Sequence, residues 1–477
     1  MLNRIAGERV DGGGTRFDRR DPADDRGVVS SAPESTAPDV AAAVDAACAA
    51  WPAWAATPAT ERSERLHRAA AALQARQEEL ATLISLEQGK LRGDALGEVA
   101  RSVRNLRAYA SEALRVLGHT FPQEEPGVEI RTRVGPLGVV GVITPWNFPV
   151  SLSTRKLGPA LAMGNTLVWK PSPFAPGVTD LVADAFDEAG FPAGVINVVH
   201  GTDAGRCLVA DDRVVGVTFT GSTATGERIR AQVGVGRRCQ LELGGNNPVV
   251  VLADADLDRA AQIAVRSAFS LAGQACTGAG RVYVEHRVHD ELLERMAGLA
   301  RSYVLGPGTS ASSTLGPLVD RSSLERMEAV VDDARSRGAA VLCGGARATG
   351  ADVDHGWFFP PTILTGLDSS AVASREEVFG PVVGVEPVGS LDEAITRCND
   401  TEYGLAAAVC TTSAAAAAQF CVEVRAGMLK VNRPTTGAPF GAPFGGLKRS
   451  SDGSYKEQLG PGVIDFYVST QTIEVAI

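Results

Sequence analysis

The chain has 477 residues, of which 44% are hydrophobic and 21% charged, and its formal net charge is −10 at pH 7. This length exceeds what one hydrophobic core usually supports, so two or three domains of a globular enzyme are expected. The negative charge argues against nucleic-acid binding, and no apolar run reaches the ~18 residues of a membrane-spanning helix.

The first part of the chain changes from strands to helices. Residues 1–35 are rich in glycine and charge and are predicted to form strands and turns. They lack the apolar segment of a secretory signal, so a cytoplasmic location is expected. Apolar residues at helical spacing then predict helices over 39–51, 60–77, 78–89 and 94–117. Alternating apolar residues over 118–135 predict a hairpin.

Strands alternate with helices from residue 139 onward. Strands are predicted over 139–143, 166–169, 195–199, 214–218 and 239–243, and helices over 178–189, 204–210 and 225–233. This alternation predicts a doubly wound parallel sheet, which binds ligands at the carboxyl ends of its strands.

A second α/β unit is predicted from residue 256. Its helices are expected over 256–272, 290–303, 322–337, 391–399 and 414–424, and its strands over 281–285, 340–343 and 382–388. The tail, 464–477, alternates again and is predicted to be a strand.

Four polar segments follow the ends of predicted strands, at 144–149, 170–173, 219–223 and 242–248. In a parallel sheet all four would line one crevice. Their side chains are of types found in catalytic and ligand-binding sites, although each residue also has an ordinary structural interpretation.

The individual residues of these segments suggest different tasks. Asn147 can donate to an oxyanion, Lys170 suits a ribose or phosphate, and Gly221 and Ser222 precede a helix whose N-terminus attracts phosphate. A buried Glu242 would have a raised pKa and could act as a base. The alternatives are a turn asparagine, a solvated lysine and a surface glutamate.

Cys276 lies among small residues, between Gly273 and Gly280, where a ligand can approach the chain closely. A deprotonated thiol there can act as a nucleophile, whereas a lone cysteine is more often a small buried hydrophobic residue. The eight cysteines show no CxxC pair and no metal-type spacing with histidine. We therefore predict no metal site and expect reduced thiols.

Seven motifs, in this order, resemble the aldehyde dehydrogenase superfamily over nearly the whole chain. They lie at 144–149, 170–171, 219–223, 242–245, 273–276, 377–381 and 443–446. The resemblance implies an α/β fold with a Rossmann-like cofactor-binding domain, an α/β catalytic domain and a β oligomerisation arm. The implied bounds are 1–117 and 137–244 for the cofactor-binding domain, 245–441 for the catalytic domain, 118–136 and 463–477 for the arm, and 442–462 for a return segment.

The resemblance also implies the catalytic roles. Cys276 would attack the aldehyde to form a thiohemiacetal, which becomes a thioester once hydride has passed to a nicotinamide. The side chain of Asn147 and the backbone N–H of Cys276 would hold the oxyanion. Glu242 would activate the water that hydrolyses the thioester, and Lys156 would lie near the proton path to this base.

The implied cofactor is NADP or NAD. The residues that match cofactor contacts are Trp146, Lys170, Ser172, Gly221, Ser222, Glu377 and Phe379. Members that prefer NAD commonly carry an acidic residue three positions after the lysine, where this chain has Pro173. Because proline does not repel a 2′-phosphate, NADP use is predicted alongside NAD use.

The substrate is predicted from Arg155, which stands where many members of the superfamily have tryptophan. Its context is similar to succinate-semialdehyde dehydrogenases, and 431–437 is similar to 2-oxoglutarate-semialdehyde (2,5-dioxovalerate) dehydrogenases. A second arginine of the succinate-semialdehyde group is replaced by Ser270. Arginine suits a carboxylate, so a carboxylate-bearing semialdehyde is predicted. Arg155 can equally be structural or solvated.

The resemblance implies a homodimer or homotetramer that acts on a small-molecule aldehyde, with no membrane or nucleic-acid partner. Three alternatives stay open: a dehydrogenase for neutral aliphatic or aromatic aldehydes, an acylating enzyme that uses coenzyme A, and a non-catalytic structural or ligand-binding relative. Glu242 argues against the second, and the presence of both Cys276 and Glu242 argues against the third.

Overall fold

The computed structural model describes residues 1–115, 118–351, 353–460 and 462–476. The α-helices of the described residues mostly follow the apolar spacing of the sequence. Their bounds are α1 Ala37–Ala56, α2 Ala59–Ala75, α3 Gln77–Gln88, α4 Arg92–Glu112, α5 Ser151–Ala162, α6 Pro176–Glu188, α7 Ala204–Ala210, α8 Thr223–Val233, α9 Leu257–Phe269, α10 His289–Arg301, α11 Arg321–Ser336, α12 Val372–Arg375, α13 Leu391–Asn399 and α14 Ala414–Glu423.

The strands of the described residues form two large sheets and three small ones. Their bounds are β1 Asn3–Ile5, β2 Glu8–Val10, β3 Arg16–Asp21, β4 Asp24–Pro33, β5 Thr120–Phe121, β6 Val128–Pro136, β7 Val139–Ile143, β8 Thr166–Lys170, β9 Ile196–Val198, β10 Val214–Thr220, β11 Arg238–Glu242, β12 Asn247–Val251, β13 Ala279–Glu285, β14 Ala340–Cys343, β15 Thr362–Thr365, β16 Val382–Val388, β17 Ala406–Cys410, β18 Met428–Val431, β19 Pro443–Phe444, β20 Glu457–Gln458 and β21 Val468–Ala476.

The first large sheet has the strand order β11-β10-β7-β8-β9-β1-β2. Strands β7 to β11 are parallel, and β1 joins β9 in the antiparallel sense. β7 and β8 are buried along their whole length, which explains their continuous apolar sequences. The doubly wound sheet expected from the sequence is therefore present, with an antiparallel edge.

The second large sheet has the order β14-β15-β16-β13-β12-β17-β18 and is parallel except for β14. It contains four strands that the sequence pattern did not predict, namely β12, β15, β17 and β18. β12 lies next to the centre although Pro248 is its second residue. The proline is tolerated because the register shifts between Asn247 and Pro248, at the beginning of the strand.

The predicted hairpin forms from β5 and β6, and β21 extends it on the other side of β6. Several boundaries differ from the sequence expectation: α1 extends to Ala56 instead of residue 51, and α4 ends at Glu112. Residues 464–467 form a 3-10 turn before β21, and helix α9 ends at Phe269 instead of residue 272. The last two residues of the helix predicted over 94–117 lie outside the described residues.

Candidate active site

The carboxyl ends of β7, β8, β10 and β11 surround one cavity of about 340 Å³. The loop before β13 and the segment before β16 close it from the side of the second sheet. Nine residues singled out in the sequence line its wall: Trp146, Asn147, Lys170, Ser172, Gly221, Ser222, Cys276, Glu377 and Phe379. The four strand-end segments therefore meet as the parallel topology predicts.

Cys276 lies on a strained loop that follows α9. Leu271 and Ala272 have φ of +57° and +52°, and Gly273 continues with +71°. Such left-handed backbone at non-glycine residues costs about 1–3 kcal/mol each, so surrounding contacts must hold the loop in place. A Cβ at position 273 would collide with the backbone of Gly380, which explains the glycine there.

The Cys276 side chain is half-buried and packs against an apolar cluster that contains Phe444. Burial, together with the carboxylates of Glu377 and Glu242, raises the pKa of this thiol to about 12, while Arg155 opposes the increase. In the protein without ligands, the thiol is consequently protonated near neutral pH.

The Asn147 side chain faces the same loop, since its amide donates a 3.0 Å hydrogen bond to the carbonyl of Gln274, two residues before Cys276. Its backbone is fixed by Lys90, whose ammonium donates to the Asn147 carbonyl at 2.6 Å. Lys90 also forms a buried ion pair with Glu98. The second hydrogen of the Asn147 amide remains available to an oxygen in the cavity.

Glu242 ends β11 and is 1% exposed. Both oxygens of its carboxylate lack a hydrogen-bond partner. Burial raises the pKa of Glu242 well above its usual value, the nearby Glu457 raises it further, and Lys156 and Lys456 oppose them. A Cβ at Gly445 would lie 2.6 Å from Glu242 Oε1, so glycine leaves room beside the carboxylate.

Neither Glu242 nor Lys156 is part of the cavity wall formed by the described residues, although Leu243 and Gly244, which follow Glu242, are. The lysine is fully buried, forms an ion pair with Glu457 and donates a 2.9 Å hydrogen bond to Thr218 Oγ1. Thr220 Oγ1 donates to the same Glu457 carboxylate at 3.1 Å. Glu457 was not selected from the sequence as a site residue. Its proximity to Lys156 arises only from folding, because the two residues are 301 positions apart.

The far end of the cavity has the features of a dinucleotide site. Lys170 is 9% exposed, and burial lowers the pKa of its ammonium to about 8. Ser222 occupies the N-cap position of α8 without a side-chain capping hydrogen bond, and both Ser222 and Thr225 of the first turn line the cavity. An N-terminal helix turn favours a diphosphate, so these residues fit the anionic part of a nicotinamide cofactor.

Glu377 and Phe379 approach from the second unit. The backbone N–H of Gly245 donates to Glu377 Oε1 at 3.1 Å, and a Cβ at Gly244 would collide with the same carboxylate. Burial raises the pKa of Glu377 to about 7. The Phe379 ring meets Trp146 edge to face, with 5.8 Å between centroids. A carboxylate beside an aromatic pair suits the second ribose and the nicotinamide ring.

Arg155 lies on α5 and is 8% exposed. Its guanidinium carbon is 5.4 Å from the centroid of Phe444, which packs with Cys276. Its Nε is buried without a hydrogen-bond partner. Within the described part of the chain, no carboxylate forms an ion pair with Arg155, and the guanidinium is therefore a cation without a counter-ion near the thiol.

Pro173 follows Ser172 but is not part of the cavity wall formed by the described residues. Its influence on a 2′-phosphate stays a prediction. Three residues on or near the wall were not identified from the sequence: Lys90, Gln274 and Arg326. For Lys90 the sequence offered one signal, because it directly follows Gly89, a glycine of the kind that ends a helix, as it does for α3.

The described residues contain no cluster of His, Cys, Asp and Glu that could hold a metal ion. Within the same residues, no helix has both the length and the apolar composition needed to cross a membrane.

The sequence and the structure match one family throughout. The model of the aldehyde dehydrogenase family matches residues 10–473. The alpha-ketoglutarate semialdehyde dehydrogenase of Haloferax volcanii is 39% identical over 455 residues, which are 95% of this chain and 94% of the relative.

Two solved structures that resemble this chain are of an NAD⁺ complex and of an NADP-dependent enzyme. The betaine aldehyde dehydrogenase of Staphylococcus aureus in complex with NAD⁺ has a TM-score of 0.96 and 31% identity, and covers 100% of this chain and 94% of its own. An NADP-dependent enzyme of E. coli has a TM-score of 0.95 and 35% identity, and covers 100% and 98%. The chain therefore belongs to the aldehyde dehydrogenase family and is an oxidoreductase that acts on aldehydes with NAD or NADP.

Proposed function

We propose that this enzyme oxidises a carboxylate-bearing semialdehyde, either 2-oxoglutarate semialdehyde or succinate semialdehyde, to the corresponding acid. The observation that carries the proposal is the buried Arg155 guanidinium, which has no carboxylate partner among the described residues and contacts Phe444 beside Cys276.

The physical reason is the cost of a buried charge. An unpaired cation in a dry site is unfavourable, and a planar guanidinium binds a carboxylate with two parallel hydrogen bonds. A substrate whose far end is a carboxylate would supply the missing counter-ion. The relative from Haloferax volcanii, named for alpha-ketoglutarate semialdehyde, supports this substrate class.

The proposed reaction begins at Cys276. Its thiolate attacks the aldehyde carbon, and the amide of Asn147 and the Cys276 backbone N–H stabilise the developing oxyanion. The proton released by the thiol needs an acceptor, for which Glu242 has free carboxylate oxygens. Glu242 must release this proton before it can act again, and the buried Lys156–Glu457 pair is the route we propose for it. The regenerated carboxylate then takes a proton from the water that hydrolyses the Cys276 thioester.

The residues proposed to hold the cofactor are Lys170 and Ser172 at one ribose, Trp146, Gly221 and Ser222 at the diphosphate, and Glu377 with Phe379 at the nicotinamide end. When bound, the nicotinamide supplies the acceptor for the hydride. We propose use of both NADP and NAD, because Pro173 places no carboxylate against a 2′-phosphate.

We also propose that the chain assembles as a homodimer or homotetramer through the three-stranded sheet of β5, β6 and β21. β21 pairs only with β6 among the described strands, so its other edge can accept a partner. In the division of the chain that we propose, the arm consists of 118–136 and 463–477. The cofactor-binding domain consists of 1–117 and 137–244, the catalytic domain of 245–441, and the return segment of 442–462. A cytoplasmic location fits eight cysteines without a disulfide.

The test is Arg155→Leu, assayed on both semialdehydes and on pentanal. A hydrogen bond to a charged group is worth about 1.5–3 kcal/mol, so kcat/KM for the semialdehydes should fall about 10- to 150-fold while pentanal is spared. Arg107→Leu is the matched control, because this exposed arginine contacts Gln74 away from the cavity. Equal losses on all three substrates would show a structural arginine and would favour a neutral aldehyde as substrate.

A further inference from the structure

Among the described residues, Arg155 is not the only arginine without an ion pair that contacts the loop 438–444. Arg101, on α4, is half-buried, and its Nη1 donates a 2.9 Å hydrogen bond to the backbone carbonyl of Ala438. In the part of the chain that the structure describes, it forms no ion pair with a carboxylate. A half-buried guanidinium held by one neutral carbonyl has donors left for an anion.

The packing of α4 on α5 brings Arg101 toward Arg155. Glu98 accepts the backbone N–H groups of Val150 and Ser151 at 2.9 and 3.0 Å, at the beginning of α5. Asn105 donates to Thr154 Oγ1 at 3.3 Å. Arg101 lies three residues after Glu98 and four before Asn105, and is therefore on the same face of α4.

Loop 438–444 connects the two arginines to Cys276. Arg101 binds the carbonyl of Ala438, and Arg155 lies over the ring of Phe444. Ala438 and Cys276 both pack against the cluster that contains Phe444. Burial and the positive charges of Arg155 and Arg104 lower the pKa of Arg101, so the two guanidinium groups of Arg101 and Arg155 are close enough to repel one another.

Ser270 cannot supply a second cation to the substrate, and its hydroxyl is bonded to the Arg266 carbonyl at 2.6 Å. We propose that Arg101 supplies this second cation and binds the carboxylate of five-carbon semialdehydes, whose charged end extends one carbon farther from Cys276 than in succinate semialdehyde. Arg155 alone holds the four-carbon substrate. This inference rests on the proposed function and concerns the five-carbon substrates within the proposed class of semialdehydes.

The experiment compares Arg101→Gln with wild type on four aldehydes. Two are five-carbon carboxylates, 2-oxoglutarate semialdehyde and glutarate semialdehyde, one is succinate semialdehyde, and one is neutral pentanal. We expect kcat/KM to fall about 10- to 150-fold on both five-carbon carboxylates. Succinate semialdehyde and pentanal should change no more than they do in the control Arg107→Gln. Equal losses on the four- and five-carbon carboxylates, or no loss, would overturn the proposal.

A binding measurement separates this effect from damage to the fold. Calorimetric titration with glutarate and succinate should show that Arg101→Gln weakens glutarate binding by a similar factor and leaves succinate binding unchanged. Arg101→Lys, which keeps the charge, should restore part of the glutarate affinity. Unchanged glutarate affinity in Arg101→Gln would contradict the proposal.

Failure of the proposed function would look different. In that case wild-type enzyme would show no preference for any carboxylated aldehyde over pentanal, and Arg155→Leu would not alter the ranking. If wild type prefers the carboxylates but Arg101→Gln leaves their ranking intact, only the role of Arg101 is wrong.

Discussion

The ammonium of Lys90 donates a 2.6 Å hydrogen bond to the backbone carbonyl of Asn147 and pairs with the buried carboxylate of Glu98. Glu98 in turn accepts two backbone N–H groups at the beginning of α5. Two residues at the end of α3 and on α4 thus fix the loop that carries the proposed oxyanion donor.

Lys90→Met should therefore impair both stability and catalysis. Removing one partner of a buried ion pair costs about 3–5 kcal/mol, which chemical denaturation would measure as a loss in the free energy of unfolding. Because the Asn147 loop loses its anchor, kcat should fall more than cofactor affinity. Lys90→Met combined with Glu98→Gln should regain part of the stability. Arg92→Met, which breaks an exposed pair with Glu78, is the control.

The thiol of Cys276 should become reactive only at alkaline pH in the cofactor-free enzyme. Thiolate is the reactive form, and burial raises the pKa of this cysteine to about 12. The alkylation rate of the peptide containing Cys276 should consequently rise about tenfold per pH unit from pH 7 to 10. Mass spectrometry after iodoacetamide pulses measures this rate. A plateau below pH 9 would show that the resting thiol is already ionised.

The segments that line the cavity could be predicted from the sequence, whereas the buried ion pairs around them could not. The residues after β7, β8, β10 and β11 could be located because parallel strands place their carboxyl ends at one edge of a sheet. The partners Lys90–Glu98 and Lys156–Glu457 could not, because each pair forms only when distant helices, strands and loops pack together. Their residue types alone also fit a solvated surface.

The missed strands have a similar explanation. β17 has the sequence Ala-Ala-Ala-Val-Cys, which favours a helix by intrinsic propensity. It is nevertheless a fully buried strand, because β12 and β18 pair with it on both sides. Its environment in the sheet overrides the local preference of its residues, which no short-range pattern reveals.

Pro173→Glu should move the cofactor preference toward NAD. A carboxylate at this position would repel a 2′-phosphate and accept hydrogen bonds from free ribose hydroxyls. The ratio of kcat/KM with NADP to that with NAD should fall. Because Pro173 is not on the cavity wall of the described residues, an unchanged ratio would mean that residue 173 does not reach the ribose. Pro173→Gln, which adds bulk without charge, is the control.

Glu242→Gln should separate the two halves of the reaction. Glutamine has almost the same shape but cannot take a proton, so the Cys276 thioester should form and then hydrolyse slowly. Rapid mixing with substrate and cofactor should give a burst of about one equivalent of reduced cofactor per competent site, followed by a low steady rate.

The pH dependence of that steady rate gives an independent check. The pKa of Glu242 is raised, and its basic form is therefore populated only as pH rises through this raised value. In wild type, hydrolysis should accelerate with pH, whereas Glu242→Gln should lose this dependence. A normal steady rate in the variant would assign the base to another group. Glu457 would then be the first to test, because its carboxylate lies in the same buried cluster and its Oε2 also lacks a hydrogen-bond partner.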